Sequence, residues 1–383
     1  LSLFAETKEI FQLHYPNFKN KTLVQKDLAN TLKIIASKGR KGFYEGEIAE
    51  KISSEIKKNK GLISKSDLKN YSPVWREPLI SNYRDTEIIT MGPPSSGGLH
   101  VIQMLNILEN YDLKKIGHNS LEYINLLTEV MKFAYADRSK YLGDPDFYDV
   151  PIKKITSKKY ANDINENIQI GKLTPVNEIN PGKYMDGESH ETTHFSVVDK
   201  TGNVISMTYT LNSTFGSKVV IEGTGILMNN EMDDFSAAPG IPNQFNLLGA
   251  EANEIAPFKR PLSSMTPTIV LKDKELFFTT GSPGGARIIS AVLQSILNIV
   301  DFDMNLEDTT AAKRIHHQWY PDILEYEFTL DNTIEKSLIK MGYKIESKLP
   351  LTCLQTIMFS DGMYYGYGDF RRVDALASGN IND

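Results

Sequence analysis

The spacing of apolar residues changes along this chain, and the change limits the folds that the chain can adopt. Up to about residue 142, apolar residues mostly recur three or four positions apart, as at Val24, Leu28 and Leu32, which is typical of amphipathic helices. From Thr193 onward they follow a strand-like pattern, and the turn at 200–203 joins two such runs into a predicted hairpin. We therefore expect helices layered on sheets.

Turn and capping residues place the individual segments. Gly39 and Gly61 follow two helical runs as C-terminal stops, and Ser64 with Asp67 resembles a helix-capping signal. The run ARIISAVLQSILNIV, from residue 286, is apolar nearly all round, so we expect a helix buried between layers. The other predicted elements are a helical pair within 22–60, a short helix after Ser64, a strand at 87–91, helices at about 99–110 and 120–142, and a hairpin from Thr193.

Composition argues against several classes of function. The 383 residues carry 42 Lys+Arg and 48 Asp+Glu, a net charge of -6, with no basic block, so we expect no nucleic-acid partner. The single cysteine, Cys353, allows no intrachain disulfide, and the seven histidines form no HExxH motif. We interpret the pair His316-His317 as structural and expect neither a metal ion nor a cofactor. No run of about 18 apolar residues occurs, so we expect no membrane span.

Two glycine-rich segments are candidates for a functional site. In TGSPGG, 280–285, a glycine pair lies at a predicted strand-to-helix junction, where open backbone N–H groups suit a developing oxyanion or a bound anion. Most such pairs are simple turns, and the segment is not a phosphate loop because it lacks the following Lys-Ser/Thr. The similar segment PPSSGG, 93–98, is interpreted as structural.

Three further segments carry charged or hydroxyl groups. NNEMDDF, 229–235, holds three carboxylates within four residues, which suits an ammonium group, with a solvated loop as the equal alternative. PLSSM, 261–265, offers two hydroxyl donors for a carboxylate. Thr192-Thr193-His194 opens a predicted strand, where threonine is common, so a purely structural interpretation stays open on these residues alone.

Together these segments resemble a known family over nearly the whole chain. The matching motifs are TTHFSVVD, TYTLNSTFG, NNEMDDFS, KRPLSSMTPT, TGSPGG, RIHHQW, GFYEGEIA, PPSSGG and YADRSKYLGDPDF. From about residue 22 to the end, the chain is similar to γ-glutamyltranspeptidases of the N-terminal nucleophile hydrolase superfamily. The resemblance implies an α+β fold, a four-layer αββα sandwich.

The resemblance also implies a precursor that cuts its own backbone at Glu191-Thr192. Residues 1–191 would then belong to the large subunit and 192–383 to the small subunit, both within one layered domain. The freed Thr192 would carry a hydroxyl nucleophile and its own base, an α-amine with an unperturbed pKa of about 7.7 to 8.0. Thr193 is the competing nucleophile, but the family cuts before the first of the two threonines.

Further catalytic roles follow from the resemblance, position by position. Thr210 resembles the second threonine, whose hydroxyl orients the nucleophile from the neighbouring strand. Asn212, two residues on, is expected on the same strand face, as a donor to the substrate. Gly284 and Gly285 resemble the pair whose N–H groups form the oxyanion hole.

A binding site for the glutamyl head group is implied in the same way. Glu231 and Asp234 resemble the acceptors for the substrate α-ammonium group, and Ser263 and Ser264 resemble the donors to its α-carboxylate. Residues 238–249 resemble the lid loop of many bacterial members, with Phe245 where tyrosine is often found. A lid weighs against poly-γ-glutamate processing, which needs an open cleft.

Two departures from the family pattern stand out. Asp369-Phe-Arg371 replaces the usual Asp-Pro-Arg and receives no role. Family members also carry an upstream arginine that clamps the substrate carboxylate, and residues 1–21 contain no arginine. Either residues upstream of this sequence supply the arginine or the chain is a truncated product, so we expect the site within this sequence to be incomplete.

The implied reaction transfers a γ-glutamyl group from glutathione or a similar amide to water, an amino acid or a dipeptide, through an ester on Thr192. One alternative is a related amidase such as a cephalosporin-type acylase, which is expected to lack the acidic residues at Glu231 and Asp234. Another is an inactive truncated fragment that only folds or assembles. The resemblance further implies a periplasmic or secreted location.

Overall fold

The computed structural model describes residues 4–12, 22–179, 192–238, 241–327, 329–348 and 352–379. Glu191, on the N-terminal side of the predicted cleavage point, lies outside the described residues, as do Pro239 and Gly240 of the predicted lid. Contacts divide the chain into two compact units. Unit 1 comprises Leu1–Arg76 and Leu211–Glu231, and unit 2 comprises Glu77–Thr210 and Met232–Asp383.

Helices dominate the segment before residue 170 and return after residue 286. They are α1 Ala5–Thr7, α2 Lys26–Lys38, α3 Arg40–Tyr44, α4 Gly46–Lys58, α5 Lys65–Asn70, α6 Gly97–Leu108, α7 Leu113–Ile116, α8 Leu121–Tyr141, α9 Ile152–Ile155, α10 Lys158–Asn165, α11 Arg287–Val300, α12 Leu306–Ala311 and α13 Asn332–Met341. A π-helix at Lys8–Gln12 and 3-10 helices at Glu231–Asp234 and Glu251–Asn253 are also present. Across the described ranges, no helix is both long enough and apolar enough to cross a membrane.

The strands form one large sheet and three small ones. They are β1 Leu79–Tyr83, β2 Thr86–Thr90, β3 Thr193–Val198, β4 Val204–Tyr209, β5 Val220–Ile221, β6 Ile226–Leu227, β7 Thr268–Lys272, β8 Glu275–Thr280, β9 Ile315–His316, β10 Leu324–Glu327, β11 Ile345–Lys348, β12 Gln355–Ser360 and β13 Met363–Gly368. The large sheet has the order β1-β2-β7-β8-β12-β13, with every neighbouring pair antiparallel. The small sheets are β3-β4, β5-β6 and β11-β10-β9.

The predicted elements are confirmed, with shifts at their ends. The helical pair corresponds to α2 and α4, and the unpredicted α3 lies between them. At the start of α5, the Ser64 side chain accepts from the Asp67 N–H while the Asp67 carboxylate accepts from the Ser64 N–H, which is the predicted capping box. The apolar helix predicted from residue 286 is α11, and it is buried along residues 287–299, as its sequence indicates.

Unit 1 has a small core of its own. Ile48 and Ile52 on α4 pack with Ile221 of β5, and all three side chains are at most 2% exposed. A buried hydroxyl ties the unit together, since Thr31 Oγ1 donates to the Thr224 carbonyl oxygen over 2.8 Å. Residues from both sides of Glu191-Thr192 therefore share this core.

The main core lies in unit 2, between the large sheet and the helices α6, α8 and α11. Ile88, Val270 and Phe278 are aligned across β2, β7 and β8, are fully buried, and pack in one cluster with the helices. The hairpin β3-β4 packs on the sheet through β7, β8 and β12. Helices, sheet and hairpin are thus successive layers, and the predicted α+β class is confirmed.

The hairpin contacts the large sheet through small polar side chains. Ser206 Oγ donates to the Thr280 carbonyl oxygen over 3.2 Å, and Ser196 Oγ donates to the Gln355 carbonyl oxygen over 3.1 Å. The apolar residues of the hairpin point the other way and are between 38% and 53% exposed: Phe195, Val197, Ile205, Met207 and Tyr209. This polar inner face places hydroxyl and imidazole groups between two β layers.

Candidate active site

Eight of the ten predicted site residues belong to unit 2. They are Thr192, Thr210, Asp234, Phe245, Ser263, Ser264, Gly284 and Gly285. Asn212 and Glu231 belong to unit 1.

Thr192 and Thr210 face each other at the open end of the hairpin. The β3-β4 register pairs Thr193 with Tyr209, so one further step along each strand places Thr192 opposite Thr210. Thr192 Oγ1 donates to Thr210 Oγ1 over 3.4 Å, and Thr192 is only 8% exposed. The strand begins at Thr193, one residue after the predicted nucleophile, so Thr192 is held by the hairpin without being part of its hydrogen-bonded ladder.

His194 lies on the same inner face as Thr192 and is buried. Its Nδ1 lies 2.7 Å from Thr208 Oγ1, and its Nε2 lies 3.3 Å from Ser196 Oγ. Burial lowers the pKa of His194 to about 4, so the imidazole is neutral at pH 7. The ring packs against Gly281, where a Cβ atom would overlap it. The strand that follows Thr192 therefore touches the TGSPGG loop directly.

The glycine pair of this loop has an open backbone. Gly284 and Gly285 connect β8 to α11, and both have positive φ angles, 135° and 56°, which side-chain-bearing residues rarely adopt. Both are buried, yet within the described part of the chain neither N–H donates to a protein acceptor. Because buried N–H groups are almost always paired, two open ones next to a helix N-terminus are suited to bind a ligand oxygen.

The serine segment is held by PPSSGG, whose structural interpretation fits the contacts. Ser263 N donates to the Pro94 carbonyl oxygen over 2.8 Å, and Ser96 N donates back to the Ser263 carbonyl oxygen over 2.8 Å. Gly97 permits this close approach, because a Cβ atom there would overlap Thr266. The two segments form one rigid, hydrogen-bonded corner of unit 2.

Both serine hydroxyls accept a hydrogen bond from the protein. Met265 N donates to Ser263 Oγ over 3.1 Å, and Arg138 Nη2 donates to Ser264 Oγ over 3.1 Å. Among the described residues, neither hydroxyl donates to an acceptor. Each O–H group can therefore be directed at a bound anion.

Arg138 is a site residue that sequence reasoning missed. Its guanidinium is 4% exposed and also donates from Nε to Ser96 Oγ over 2.9 Å. Burial lowers its pKa to about 10, and the negative charge of Asp234 acts in the opposite direction, so the group is cationic at pH 7. The sequence does contain a sign of its burial. Arg138 follows Leu127, Met131 and Ala134 at helical spacing on α8, so it lies on the apolar face of that helix.

Asp234 ends the 3-10 helix that lies within the acidic segment 229–235. Its carbonyl oxygen accepts from Asn253 Nδ2 over 2.7 Å, and its Oδ1 accepts from Asn243 Nδ2 over 3.4 Å. Asn243 belongs to the predicted lid, and its Oδ1 also accepts from the Phe245 and Leu247 N–H groups. The lid segment is therefore fastened to the residue predicted to bind the ammonium group.

Phe245 is buried rather than displayed at the tip of an open loop. It is 9% exposed and packs in the main core cluster with Leu247 and Leu248. Its carbonyl oxygen accepts from Gln318 Nε2 over 2.8 Å. In this structure the described part of the lid lies closed on unit 2.

In unit 1, the expected position of Asn212 is wrong. The strand β4 ends at Tyr209, and Asn212 has a φ of 73°, in the left-handed region, so it does not share a strand face with Thr210. Its Nδ2 donates to the Asn230 carbonyl oxygen over 3.3 Å. Glu231 begins the 3-10 helix, and its N–H donates to Asn229 Oδ1 over 3.0 Å.

The paired histidines are occupied by structural contacts. His316 lies on β9, not on a helix, and bonds Ser290 and Gln318, while His317 bonds Asp322. Burial lowers the pKa of His317. Within the ranges that the structure describes, no group of three or more His, Cys, Asp or Glu side chains is placed to hold a metal ion.

The layers of helices, large sheet and hairpin form an α+β fold of the N-terminal nucleophile hydrolase type. The family model described as Gamma-glutamyltranspeptidase matches residues 3–379. The chain belongs to the γ-glutamyltranspeptidase family, as its matching sequence motifs indicate.

Individual relatives agree with this assignment. The chain is 50% identical over 365 residues to a glutathione hydrolase proenzyme of Escherichia coli (strain K12). The aligned region covers 95% of this chain and 63% of the relative. The chain is 42% identical over 368 residues to a protein of the same description from Pseudomonas sp. (strain A14), covering 93% and 64%. The crystal structure of a cephalosporin acylase from Bacillus halodurans matches with a TM-score of 0.78 and 26% identity, over 91% of this chain and 61% of that one. The chain thus spans less than two thirds of the length of each of these relatives.

Proposed function

We propose that this protein transfers the γ-glutamyl group of glutathione and related γ-glutamyl amides to water, an amino acid or a dipeptide. The observation that carries the proposal is the position of Thr192, whose hydroxyl faces Thr210 at the open end of the hairpin. A residue at such an end can become a chain terminus without disrupting a strand, since β3 begins one residue later. The predicted cut at Glu191-Thr192 would create that terminus and release the α-amine of Thr192 as the base.

The first chemical step forms an ester. Thr192 Oγ1 attacks the γ-carbonyl carbon of the substrate, and its proton passes to the Thr192 α-amine, while Thr210 keeps the hydroxyl oriented. The negative charge that develops on the carbonyl oxygen is placed at the N–H groups of Gly284 and Gly285. The C–N bond then breaks, the leaving amine takes the proton from the α-ammonium group, and the γ-glutamyl group stays on Thr192.

The second step regenerates the enzyme. Water, or the amine of an acceptor, attacks the ester carbon and gives a proton to the α-amine. The ester C–O bond breaks, the threonine oxygen recovers a proton, and glutamate or a new γ-glutamyl amide leaves. The same two glycine N–H groups serve both tetrahedral intermediates, which is why their positions must be fixed in advance.

The glutamyl head group carries a positive and a negative charge, and unit 2 offers a partner for each. Asp234 supplies a carboxylate for the α-ammonium group. Ser263 and Ser264 supply hydroxyl donors for the α-carboxylate, and the buried cation Arg138 polarises Ser264. In unit 1, Asn212 and Glu231 are proposed as further substrate contacts by resemblance.

An acylase activity is the second candidate, because a cephalosporin acylase has a similar structure. Two matched substrates separate the candidates: γ-glutamyl p-nitroanilide and glutaryl p-nitroanilide, which differ only in the α-ammonium group. If Asp234 binds that group, the glutaryl compound should be at least tenfold worse in kcat/KM, since a charge-assisted bond contributes about 1.5 to 3 kcal/mol. Equal turnover of both would favour the acylase.

We propose that the mature protein consists of a large and a small subunit derived from one precursor by the cut before Thr192. The names of the relatives as proenzymes support this proposal. A periplasmic or secreted location stays a prediction from the family resemblance.

A further inference from the structure

The segment Asp369-Phe-Arg371, which received no role from the sequence, lies at the centre of a buried network. Asp369 is 0% exposed. Its Oδ1 accepts from the Arg371 N–H and from Arg371 Nη1, each over 3.1 Å. Its Oδ2 accepts from Arg314 Nη2 over 3.0 Å and from the Leu354 N–H over 2.8 Å. The carboxylate thus holds two arginines and one backbone amide together.

The Leu354 amide belongs to a short segment, residues 352–355, which we call the brace. Two bonds anchor the brace to the network around Asp369. The Leu354 N–H donates to the Asp369 carboxylate, and Arg314 Nη1 donates to Thr352 Oγ1 over 2.9 Å. Residues 352–354 are buried, so these bonds are protected from water.

The brace also bonds to the TGSPGG loop, which carries the glycine pair Gly284 and Gly285. The Cys353 N–H donates to Ser282 Oγ over 3.0 Å, and Ser282 Oγ lies 3.1 Å from the Cys353 carbonyl oxygen. The Gln355 N–H donates to the Gly281 carbonyl oxygen over 2.9 Å. Ser282 stands two residues before Gly284 in the chain.

The brace also contacts the strand that follows Thr192. Ser196 Oγ donates to the Gln355 carbonyl oxygen over 3.1 Å. One four-residue segment therefore fixes both the TGSPGG loop and the strand β3, and Asp369 fixes that segment. Asp369 is more than a counter-ion for the two arginines. Glu327 already pairs with Arg371 over 2.6 Å, and charge neutralisation alone would not require the bond from Asp369 to the Leu354 amide.

We propose that Asp369 is a positioning residue for the oxyanion-stabilising glycines, acting through the brace and Ser282. This role rests on the proposed function of Gly284 and Gly285. Loss of the Asp369 carboxylate lets the brace shift, which moves the two N–H groups away from the developing oxyanion. Substrate binding at Asp234 and the serine pair does not involve the brace, so the defect falls on kcat.

The test compares Asp369→Asn with Glu129→Gln. Glu129 is an equally buried carboxylate of unit 2 that accepts from Lys132 Nζ over 3.0 Å and from the Tyr343 hydroxyl over 2.5 Å, outside the brace. Both variants should lower the thermal midpoint. Only Asp369→Asn should lower kcat for γ-glutamyl p-nitroanilide, by about tenfold or more, with KM within about twofold. An equal kcat loss in Glu129→Gln, or an unchanged kcat in Asp369→Asn, would overturn the proposal.

Ser282→Ala tests the same path from its other end while leaving the ion pairs in place. If the two residues act in series, the double variant should lose no more activity than the worse single variant, whereas independent effects would multiply. Multiplying effects contradict the proposal. If Asp369→Asn folds poorly, the kcat of Ser282→Ala alone still tests whether the brace positions the glycine pair.

Amide hydrogen exchange of the peptide containing 281–286 gives a readout that needs no activity. Exchange should be faster in Asp369→Asn and unchanged in Glu129→Gln. If wild-type protein fails to turn over any γ-glutamyl amide, the proposed function is wrong, and the exchange result still decides whether Asp369 positions this loop. Unchanged exchange in Asp369→Asn would overturn the positioning role.

Discussion

A threonine hydroxyl is a weak nucleophile at neutral pH, and its surroundings decide whether it reacts. Here Thr192 has a hydroxyl partner in Thr210, a position at the end of a strand, and a neutral, buried His194 two residues on. No strong base is in hydrogen-bond contact with the hydroxyl among the described residues. The α-amine released by chain cleavage fills that role in the proposed mechanism.

The binding of the ammonium group can be tested at Asp234. Asp234→Asn keeps the shape of the side chain and removes its charge, so we expect a loss of roughly tenfold to more than a hundredfold in kcat/KM for γ-glutamyl p-nitroanilide. Asp233→Asn is the matched control, since Asp233 is the exposed neighbour that accepts from the Gln244 N–H over 2.8 Å. Similar losses in both variants would place the ammonium site elsewhere.

His194 predicts a specific dependence of stability on pH. Its folded pKa of about 4 lies below its unfolded value, so its contribution to stability is full above the unfolded pKa and is lost as pH falls toward 4. Between about pH 7.5 and 5.5 the loss should be roughly 1 kcal/mol, because the unfolded imidazole takes up a proton at about 6.5.

The measurement is urea unfolding of Thr192→Ala, which keeps the chain uncut, with and without His194→Gln. The stability difference between the two proteins should shrink by that amount over the stated pH range. A difference that does not change with pH would show that the pKa of His194 is the same in the folded and unfolded protein, and a difference that grows as pH falls would show that folding raises it.

At the scale of elements, the hairpin contacts the TGSPGG loop at Gly281, a residue without a side chain. A Cβ atom on Gly281 would overlap the His194 ring, so Gly281→Ala must displace the ring from its contacts, or move the β3 strand or the loop. We expect a loss of thermal stability and of kcat. Gly379→Ala is the control, since a Cβ atom there meets nothing within 4 Å and its φ is not in the left-handed region. Equal behaviour of the two variants would argue that the hairpin and loop are not closely packed.

Local patterns in the sequence predict the elements but not the contacts between them. The capping box of α5, the stop of α2 at Gly39 and the hairpin after Thr192 follow from residues close together in the chain. Arg138 with Ser264 and Asp369 with Leu354 join positions 126 and 15 residues apart. Such pairings depend on packing between layers, which spacing along the chain does not encode.

Family resemblance supplied the roles that local patterns could not. A glycine pair such as that of TGSPGG suits an oxyanion but is a simple turn in most proteins, and the resemblance to the family favours the oxyanion hole. The structure adds the physical reason, two buried N–H groups that have no protein acceptor among the described residues. It also corrects one inference from strand geometry, because β4 ends before Asn212.

At the scale of the whole molecule, the large sheet is built from both sides of the predicted cut. β1 and β2 precede Glu191, while β7, β8, β12 and β13 follow it, and β2 pairs with β7 from Thr86↔Lys272 to Thr90↔Thr268. The helices α6 and α8 also share one core with α11. A cut at Glu191-Thr192 would therefore leave two chains joined by a sheet and a core.

We accordingly expect the cleaved protein to elute as one species in native size-exclusion chromatography and to separate into two chains only in denaturant. Thr192→Ala should elute at the same volume and give one chain in denaturant. Two wild-type species under native conditions would mean that the halves do not share this core.

The central claim is that Thr192 becomes a chain terminus and acts as the nucleophile, and intact mass with N-terminal sequencing of the purified wild-type protein tests it most directly. The account predicts two chains, the second beginning at Thr192, and a single uncut chain without γ-glutamyl hydrolysis for Thr192→Ala. A wild-type terminus at Thr193, or full activity in the uncut variant, would contradict it.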